Sequence, residues 1–472
     1  MSAFHDAGAP RSLFTDANAS SNSAPARYLS RADCEAIARK VLSYSTADEA
    51  RVTISSGVSG NTRFAVNQVS TAGDTYDAVV TMRSVFGKRA ASATTNKLDD
   101  ASLRAVVQRA EALARLAPED PEALPELGPQ QYRATEAGWS EATATLDPAG
   151  RANAVKAVTE PSRGANLTST GYLETNAGAF AIANSKGLFA YRRQTSSSMT
   201  TTVRTPDGTG SGWAGASHHD WTKIDAGALG ARAIDKAKRS VNPVAIEPGR
   251  YTVVLEPTAV ANLVQLIAGS LGARNADEGR SFFSKPGGGT KIGMKVVDER
   301  VTLSSDPFDP ETPGAPFTFD GTPVGANTWI DKGVVKNLAY DRYWAQKQGV
   351  APSSVSGLRM SGGTATLEEM IASTQRGLLV TRLWYIRGVD PRTILFTGLT
   401  RDGTFLIENG KITRAVKNLR WNESPIFMLN NLEMMGVPVR VSASEDGSPG
   451  QAIVVPPVKA RDFNFTSLSD AV

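Results

Sequence analysis

The side chains able to hold a metal or move a proton are scarce in this chain. Histidine occurs three times, as His5, His218 and His219, and cysteine once, as Cys34. Imidazole is the commonest ligand of catalytic zinc, so this scarcity argues against most metallohydrolase sites. The pair His218 and His219, followed by Asp220, is where ligation or acid–base chemistry can be read, because a carboxylate can orient an imidazole. Neighbouring side chains on a strand point to opposite faces, so two consecutive histidines miss a common metal, and the pair reads better as surface-loop residues. The run from Lys285 to Lys291 has the glycine and lysine content of a phosphate-cradling loop without its Gly-Lys-Ser/Thr ending, and is read as a mobile loop. No Gly-x-Ser-x-Gly elbow is present, and a serine nucleophile would have to recruit one of three imidazoles. A serine hydrolase is set aside.

Composition bounds the rest. A chain of 472 residues with 41% hydrophobic and 21% charged residues has the balance of a folded globular protein and the length for more than one core. Its net charge of +4, from 51 basic and 47 acidic residues, gives no strong field for nucleic acid or an anionic membrane. One cysteine excludes an internal disulfide, a Cys-rich zinc module and an Fe–S cluster, and a reducing, cytoplasmic setting is the natural reading. Residues 1–26 lack the basic start and apolar core of a leader, and no run of about 18 apolar residues occurs anywhere. Neither a signal peptide nor a membrane helix is expected, and 1–26 is read as a flexible tail.

The elements that must position any site alternate in type. Ser30 with Asp33 marks a helix start, and Cys34, Ile37, Ala38 and Val41 recur at helical spacing, making Cys34 a buried small hydrophobe. Strand-like runs at 51–55, 62–66 and 76–85 are separated by Gly57, Gly60 and Gly73. Asp99 or Asp100 caps a helix whose stripe includes Leu103, Val106, Val107, Ala110, Leu113 and Leu116, and a second helix starts at Asp147 and Pro148. A meander of short strands over 166–216 has turns at 176–178, 185–187 and 207–208, and Asp225 caps a further helix. Breakers at 242–249 are read as a domain boundary. Strand 251–255 then runs through Pro257 into a helix that is apolar on most of its surface and belongs in a domain centre or interface. Asp320–Gly321, Asp331 to Gly333, Asp402–Gly403 and Asn409–Gly410 read as hairpin turns of a second antiparallel sheet. It is interrupted by a helix that Thr366 and Glu369 cap and Gly377 ends in left-handed geometry, and continued by strands 378–385 and 393–399. The expected class is α+β with two domains, each a mainly antiparallel sheet with packed helices. The tail occupies 1–26, the N-terminal domain 27–243 and the C-terminal domain 244–472.

The segment 388–412, Gly-Val-Asp-Pro-Arg-Thr-Ile-Leu-Phe-Thr-Gly-Leu-Thr-Arg-Asp-Gly-Thr-Phe-Leu-Ile-Glu-Asn-Gly-Lys-Ile, runs on through 416–418 and Asn430 to Met435 and Gly436. It resembles the C-terminal signature of the TldD/PmbA family. The stretch 250–257 leading into a helix, segment 279–284, Asp341 with Arg342, and the closing 462–466 are similar to that family's layout, so the resemblance covers most of 30–466. What it implies is a two-domain subunit of a cytoplasmic zinc peptidase complex that trims unfolded peptides, including leader peptides of modified peptide antibiotics. In such a family one kind of subunit, TldD, carries His-Glu-x-x-His, where two imidazoles one turn apart bind zinc and the glutamate activates water. The other kind, PmbA or TldE, lacks it.

The corresponding helix here has Gln265 and Gly269 in the degenerate motif, and no histidine follows Pro257. Asp446 or a neighbour within 445–451 stands where the TldD kind supplies a cysteine ligand. The resemblance therefore points to the TldE kind. It implies no catalytic residue and no cofactor in this chain, zinc in a TldD-like partner, a heterodimer with a homodimer as the alternative, and an extended peptide as substrate. Glu278, Arg280, Ser281 and Phe283 are the candidates for lining a groove beside the apolar helix or meeting the partner, against the reading of an ordinary solvated loop. A regulatory protein of the gyrase-modulator type, acting without direct nucleic-acid contact, is the alternative function. A metal-independent peptidase built on His218 or His219 is the third.

Overall fold

The computed structural model describes residues 28–442 and 452–469. The tail read at 1–26 and the carboxylate position at 445–451 lie outside the described residues. Helix α1 (Arg31–Ser43) begins where Ser30 and Asp33 close a reciprocal capping box, and it buries Cys34, Ala38 and Val41. Burial pushes the Cys34 thiol up to about 12, which leaves it a hydrophobe rather than a nucleophile. Strands β1 (Glu49–Ala65), β2 (Gln68–Phe86) and β3 (Arg89–Thr95) lead into α2 (Asp100–Leu116), α3 (Glu141–Ala144) and α4 (Pro148–Gly164). Then come β4 (Thr168–Asn184), β5 (Phe189–Arg204), β6 (Ser211–His218) and α5 (Ala226–Arg239). The six strands make one antiparallel sheet in the order β3-β2-β1-β4-β5-β6. Val52, Ile54 and Phe64 project from β1 to one face, where α1 and α2 cover one end and α4 and α5 the other.

The strands are longer than the glycines suggested. β1 runs without a break through Gly57 and Gly60, and β2 through Gly73. Gly57 and Gly178 face each other across β1 and β4, and a Cβ on Gly57 would sit 2.6 Å from the Ala177 carbonyl. These glycines mark close backbone approach inside a sheet, not turns. By the same token residues 176–178 lie within β4, whereas 185–187 does turn the chain. In α2 the apolar stripe stops short: Leu113 and Leu116 are exposed and Ala114 takes the inward position.

The second half opens with β7 (Gly249–Leu255), α6 (Pro257–Gly269), α7 (Ala273–Asp277), β8 (Leu303–Ser305), β9 (Asn327–Asp331), β10 (Val334–Val335), α8 (Arg342–Gln348) and β11 (Leu358–Met360). It continues with α9 (Leu367–Ala372), β12 (Arg376–Val380), β13 (Leu383–Asp390), β14 (Leu395–Thr400), β15 (Thr404–Glu408), β16 (Lys411–Ala415) and β17 (Leu419–Glu423). The last elements are α10 (Pro425–Asn430), β18 (Leu432–Met435), β19 (Val439–Ser442), β20 (Ala452–Val455) and β21 (Val458–Leu468). Two mainly antiparallel sheets stand where one was expected: nine strands in the order β13-β14-β17-β21-β7-β12-β15-β16 with β18 beside β21, and six in the order β10-β9-β8-β11-β20-β19. Strands of two to five residues, such as β8 to β11, are too short to carry a readable period-two pattern. Helix α6 is the hub, with Ala259, Val260, Leu263, Val264 and Ile267 all fully buried. Its one buried polar residue, Asn262, accepts the Leu383 N–H at 3.3 Å and ties the helix to β13.

Two turns differ from expectation. Gly377 lies inside β12, where a Cβ would meet the Thr252 carbonyl at 2.5 Å, so it serves strand pairing and not the end of α9. Asp402 and Gly403 do not form a hairpin, because β14 and β15 are not neighbours. Val380 pairs with Thr404 and Leu383 with Thr400, so β12–β13 and β14–β15 are two halves of one ribbon bent at 381–382 and 401–403.

Glu423 is buried on β17, where it accepts the N–H groups of Ser424 and Asn464. Burial pushes its carboxyl up from 4.5 to about 7. Between those values the folded chain holds more protons than the unfolded one, so stability falls as pH rises through that window and the penalty is complete above it. Urea denaturation should therefore find the protein about 2–3 kcal/mol less stable at pH 8 than at pH 5 from this group, and Glu423→Gln should flatten the decline.

Candidate functional site

Helix α6 leaves β7 at Glu256, whose carboxylate accepts Lys236 Nζ of α5 at 2.7 Å and so docks the first half against the helix start. Gln265 is half-buried on this helix and Gly269 is exposed, with open space where a side chain would stand. Glycine offers no donor, a carboxamide oxygen is a poor one, and Asn262 is committed to β13, so the helix does not fit a zinc ion. Among the described residues no three His, Cys, Asp or Glu side chains come together.

A cleft of about 570 Å³ opens where β6 meets the ribbon corner. Arg63 and Arg204 come from the first sheet, Arg382 and Arg401 from the corner, and Trp213 and Trp384 supply aromatic walls. Asp402, only 6% exposed, anchors it: it accepts Ser211 Oγ of β6 at 2.6 Å and lies 3.6 Å from the Arg382 guanidinium and 3.8 Å from that of Arg401. Arg382 also sits over the Trp213 ring at 4.5 Å and Arg401 over the Trp384 ring at 4.0 Å. Beside it β13 ends the nine-stranded order and carries exposed Tyr385 and Val389. Guanidinium groups, flat aromatic faces and a sheet edge together suit an extended peptide, whose carbonyls pair with the edge and whose side chains lie on the rings. Sequence reasoning missed this cleft because its residues come from strands far apart in the chain; only Arg401 and Asp402 fall within the recognised segment 388–412.

The candidates at 278–283 lie elsewhere. Glu278 pairs with Arg274 at 3.0 Å and with Arg280, and Arg274 in turn holds Glu122 at 2.7 Å, making a surface network that straps loop 118–129 to α7. Those two arginines hold the Glu278 carboxyl below its usual range. Ser281 is buried and its hydroxyl accepts the Phe283 N–H. Phe283 is fully buried in the core around α6, its ring in edge contact with that of Phe282, over which Lys291 lies, so it does not line an open groove. The loop 285–291 is closed by a bridge between Ser284 and Thr290. His218 and His219 are also not loop residues on an open surface. Both are half-buried: His218 ends β6, His219 lies in the bend after it, and with strand alternation ending there their ring centroids come within 4.3 Å, the planes tilted by 34°.

Comparison with known proteins agrees with this architecture. The family described as PmbA/TldA metallopeptidase matches through its domain 1 at residues 50–114, its central domain at 140–241 and its C-terminal domain at 248–467. The chain belongs to this PmbA/TldD family. It is 24% identical over 248 residues to a metalloprotease of Methanothermobacter thermautotrophicus, covering 48% of this chain and 52% of that protein. A metalloprotease of Archaeoglobus fulgidus is also 24% identical, over 247 residues, or 48% and 56%. The chain thus spans about half the length of the curated relatives it matches. Its fold is that of TldE from Thermococcus kodakarensis, with a TM-score of 0.78 at 18% identity over 92% of this chain and 99% of that one. A putative modulator of DNA gyrase from Thermotoga maritima superposes with a TM-score of 0.80 at 17% identity, over 92% and 100%. No helix among the described residues is long and apolar enough to cross a membrane.

Removing one partner of a buried ion pair costs more than the pair gains, because the remaining charge stays desolvated. Arg382→Met should accordingly lower unfolding free energy by about 2–4 kcal/mol, read from denaturant titration. Arg382→Lys should recover only part of it, since an ammonium group cannot lie flat on Trp213.

Proposed function

We propose that this chain is the non-catalytic, TldE-like subunit of a cytoplasmic metallopeptidase complex acting on unfolded or leader peptides. A TldD-like partner bearing His-Glu-x-x-His supplies zinc, the attacking water and the general base. This chain helps enclose the peptide and hold it extended. The observation that carries the reading is on α6: at the place where the resemblance sets the zinc-binding histidines, Gln265 and Gly269 offer no ligand set. The metalloprotease relatives and the fold shared with a TldE support it. Exposed edge strand β13 and the arginine-walled cleft beside it offer a place for backbone pairing with little demand on sequence. A heterodimer is the assembly this division of labour requires, with a homodimer the alternative.

A second reading, a regulatory binding protein, draws on the description of the Thermotoga maritima protein as a putative modulator of DNA gyrase. A net charge of +4 over 472 residues favours protein contacts over direct DNA contact in that role.

Zinc content and peptidase activity on an unfolded peptide, measured for the chain alone and with a His-Glu-x-x-His-bearing family partner, separate the readings. The proposal expects a zinc-free, inactive chain that raises the partner's activity at least tenfold. Activity of the chain alone, lost in a His218→Ala/His219→Ala variant, would transfer the chemistry to the histidine pair. No effect on the partner in any ratio would favour the regulatory reading.

A further inference from the structure

A second cavity, of about 550 Å³, lies between the helix-free face of the first sheet and the second-half segments 312–319 and 354–357. Asn176, Phe180, Arg192, Gln194 and Ser196 alternate along β4 and β5 toward it. Arg440 of β19 reaches it from the other side and donates through Nε to the Ser217 carbonyl at 2.9 Å. Its charged walls are of one sign, since Arg192 and Arg440 line it and no aspartate or glutamate does.

The polar atoms here are poorly satisfied within the protein. Of the eleven buried side-chain nitrogen and oxygen atoms without a hydrogen-bond partner among the described residues, five belong to residues that line this cavity: Arg192 Nε, Ser217 Oγ, His219 Nδ1, Thr312 Oγ1 and Arg440 Nη1. A buried donor left unpaired destabilises the fold, so such a cluster is expected where a ligand completes it. All five can donate. The nearby carboxylates are engaged or outside: Asp309 holds Arg359 at 2.8 Å, Asp220 accepts from Thr222 and Ser140, and Glu311 is exposed. Burial and the neighbouring Arg440 push His218 down to about 4 and His219 down as well, so both imidazoles are neutral at pH 7 and the positive charge belongs to the guanidinium groups. Next to them the wall is apolar: Phe180 lies under the Arg192 guanidinium at 5.5 Å and touches Phe317 and Phe319, with Val324 and Val355 also in the lining.

From two guanidinium groups, two hydroxyls and a neutral imidazole beside an aromatic wall, we infer that this cavity binds a carboxylate carried next to an apolar side chain. A carboxylate accepts from the arginine fork and the hydroxyls together, and the volume is that of a small-molecule site. Two sources present that chemistry: a free small acid, and the carboxyl terminus of a peptide ending in an apolar residue. The site stands apart from α6, and the inference holds whether or not the chain works beside a zinc-bearing partner.

Isothermal titration of the full chain with N-acetyl-phenylalanine, N-acetyl-Ala-Ala-Phe, their C-terminal amides and inorganic phosphate tests it. The acids should bind at least tenfold more tightly than the amides and than phosphate. A tighter tripeptide identifies the peptide terminus as the source, and equal binding identifies the small acid. Arg440→Gln should weaken the acids tenfold or more without weakening the amides. Thr312→Val, which removes one hydroxyl at nearly constant volume, should weaken the acids a few-fold and serves if the arginine variant does not fold. Equal binding of acids and amides, preference for phosphate, no binding of any probe at 10 mM, or unchanged binding in a folded Arg440→Gln or Thr312→Val protein would each overturn the inference.

Discussion

A buried carboxylate is the centre of one of the contacts that join the two halves of this molecule. Asp402 sits at the bend of the ribbon formed by β12–β13 and β14–β15, and it faces a hydroxyl of β6 on one side and two guanidinium groups on the other. A charge in such surroundings is tolerable only because Arg382 and Arg401 compensate it, and those arginines are themselves fixed by lying on Trp213 and Trp384. The bend, the contact between halves and the cleft beside them thus share one set of atoms. Lys236 and Glu256 repeat the logic at the start of α6, so the first sheet is registered against both the ribbon and the hub helix.

The same packing leaves α6 without a set of zinc ligands. In this chain α6 is surrounded: its apolar residues meet the strands and α10, and its one buried amide is spent on the backbone of β13. A zinc site there would need imidazoles on the residual open surface around Gln265 and Gly269, and those positions present an amide and no side chain at all. The helix is held in place by hydrophobic burial. The arginines of the cleft and of the second cavity place positive charge beside aromatic surface at both.

Much of this was legible in the sequence where local chemistry decides the structure. Ser30 with Asp33, Asp99, Asp147, Asp225 and Thr366 with Glu369 cap helices as their side chains require, and the apolar run after Pro257 is the buried helix it resembles. Features decided by distant partners were not. Gly57, Gly178 and Gly377 look like punctuation but serve close strand contact, Asp402 and Gly403 look like a hairpin but turn a ribbon, and Phe283 looks like a loop residue but fills the core. The histidine pair was read by strand alternation, a rule that lapses at the last residue of β6. The arginine cleft had no sequence signal, since Arg63, Arg204, Arg382 and Arg401 share no local pattern and meet only once both halves have folded.

The path of the nine-stranded sheet also sets the order in which the chain can acquire it. β7 lies between β12 and β21, with Leu255 paired to Val380 on one side and to Val458 on the other. The first strand of the second half is therefore completed by the last, and α6, apolar on nearly every side, follows β7 directly. During synthesis that helix emerges from the ribosome long before the strand that finishes its cover. Closing such a distant pairing is slow, and the exposed helix is a natural place for chaperone contact or misassociation in the interval. The first sheet has one long closure of its own, β1 with β4 from Arg51–Asn184 to Phe64–Gly171, but all its strands have been made by residue 218, so it can stand complete while the second half is still waiting for residues 458–468.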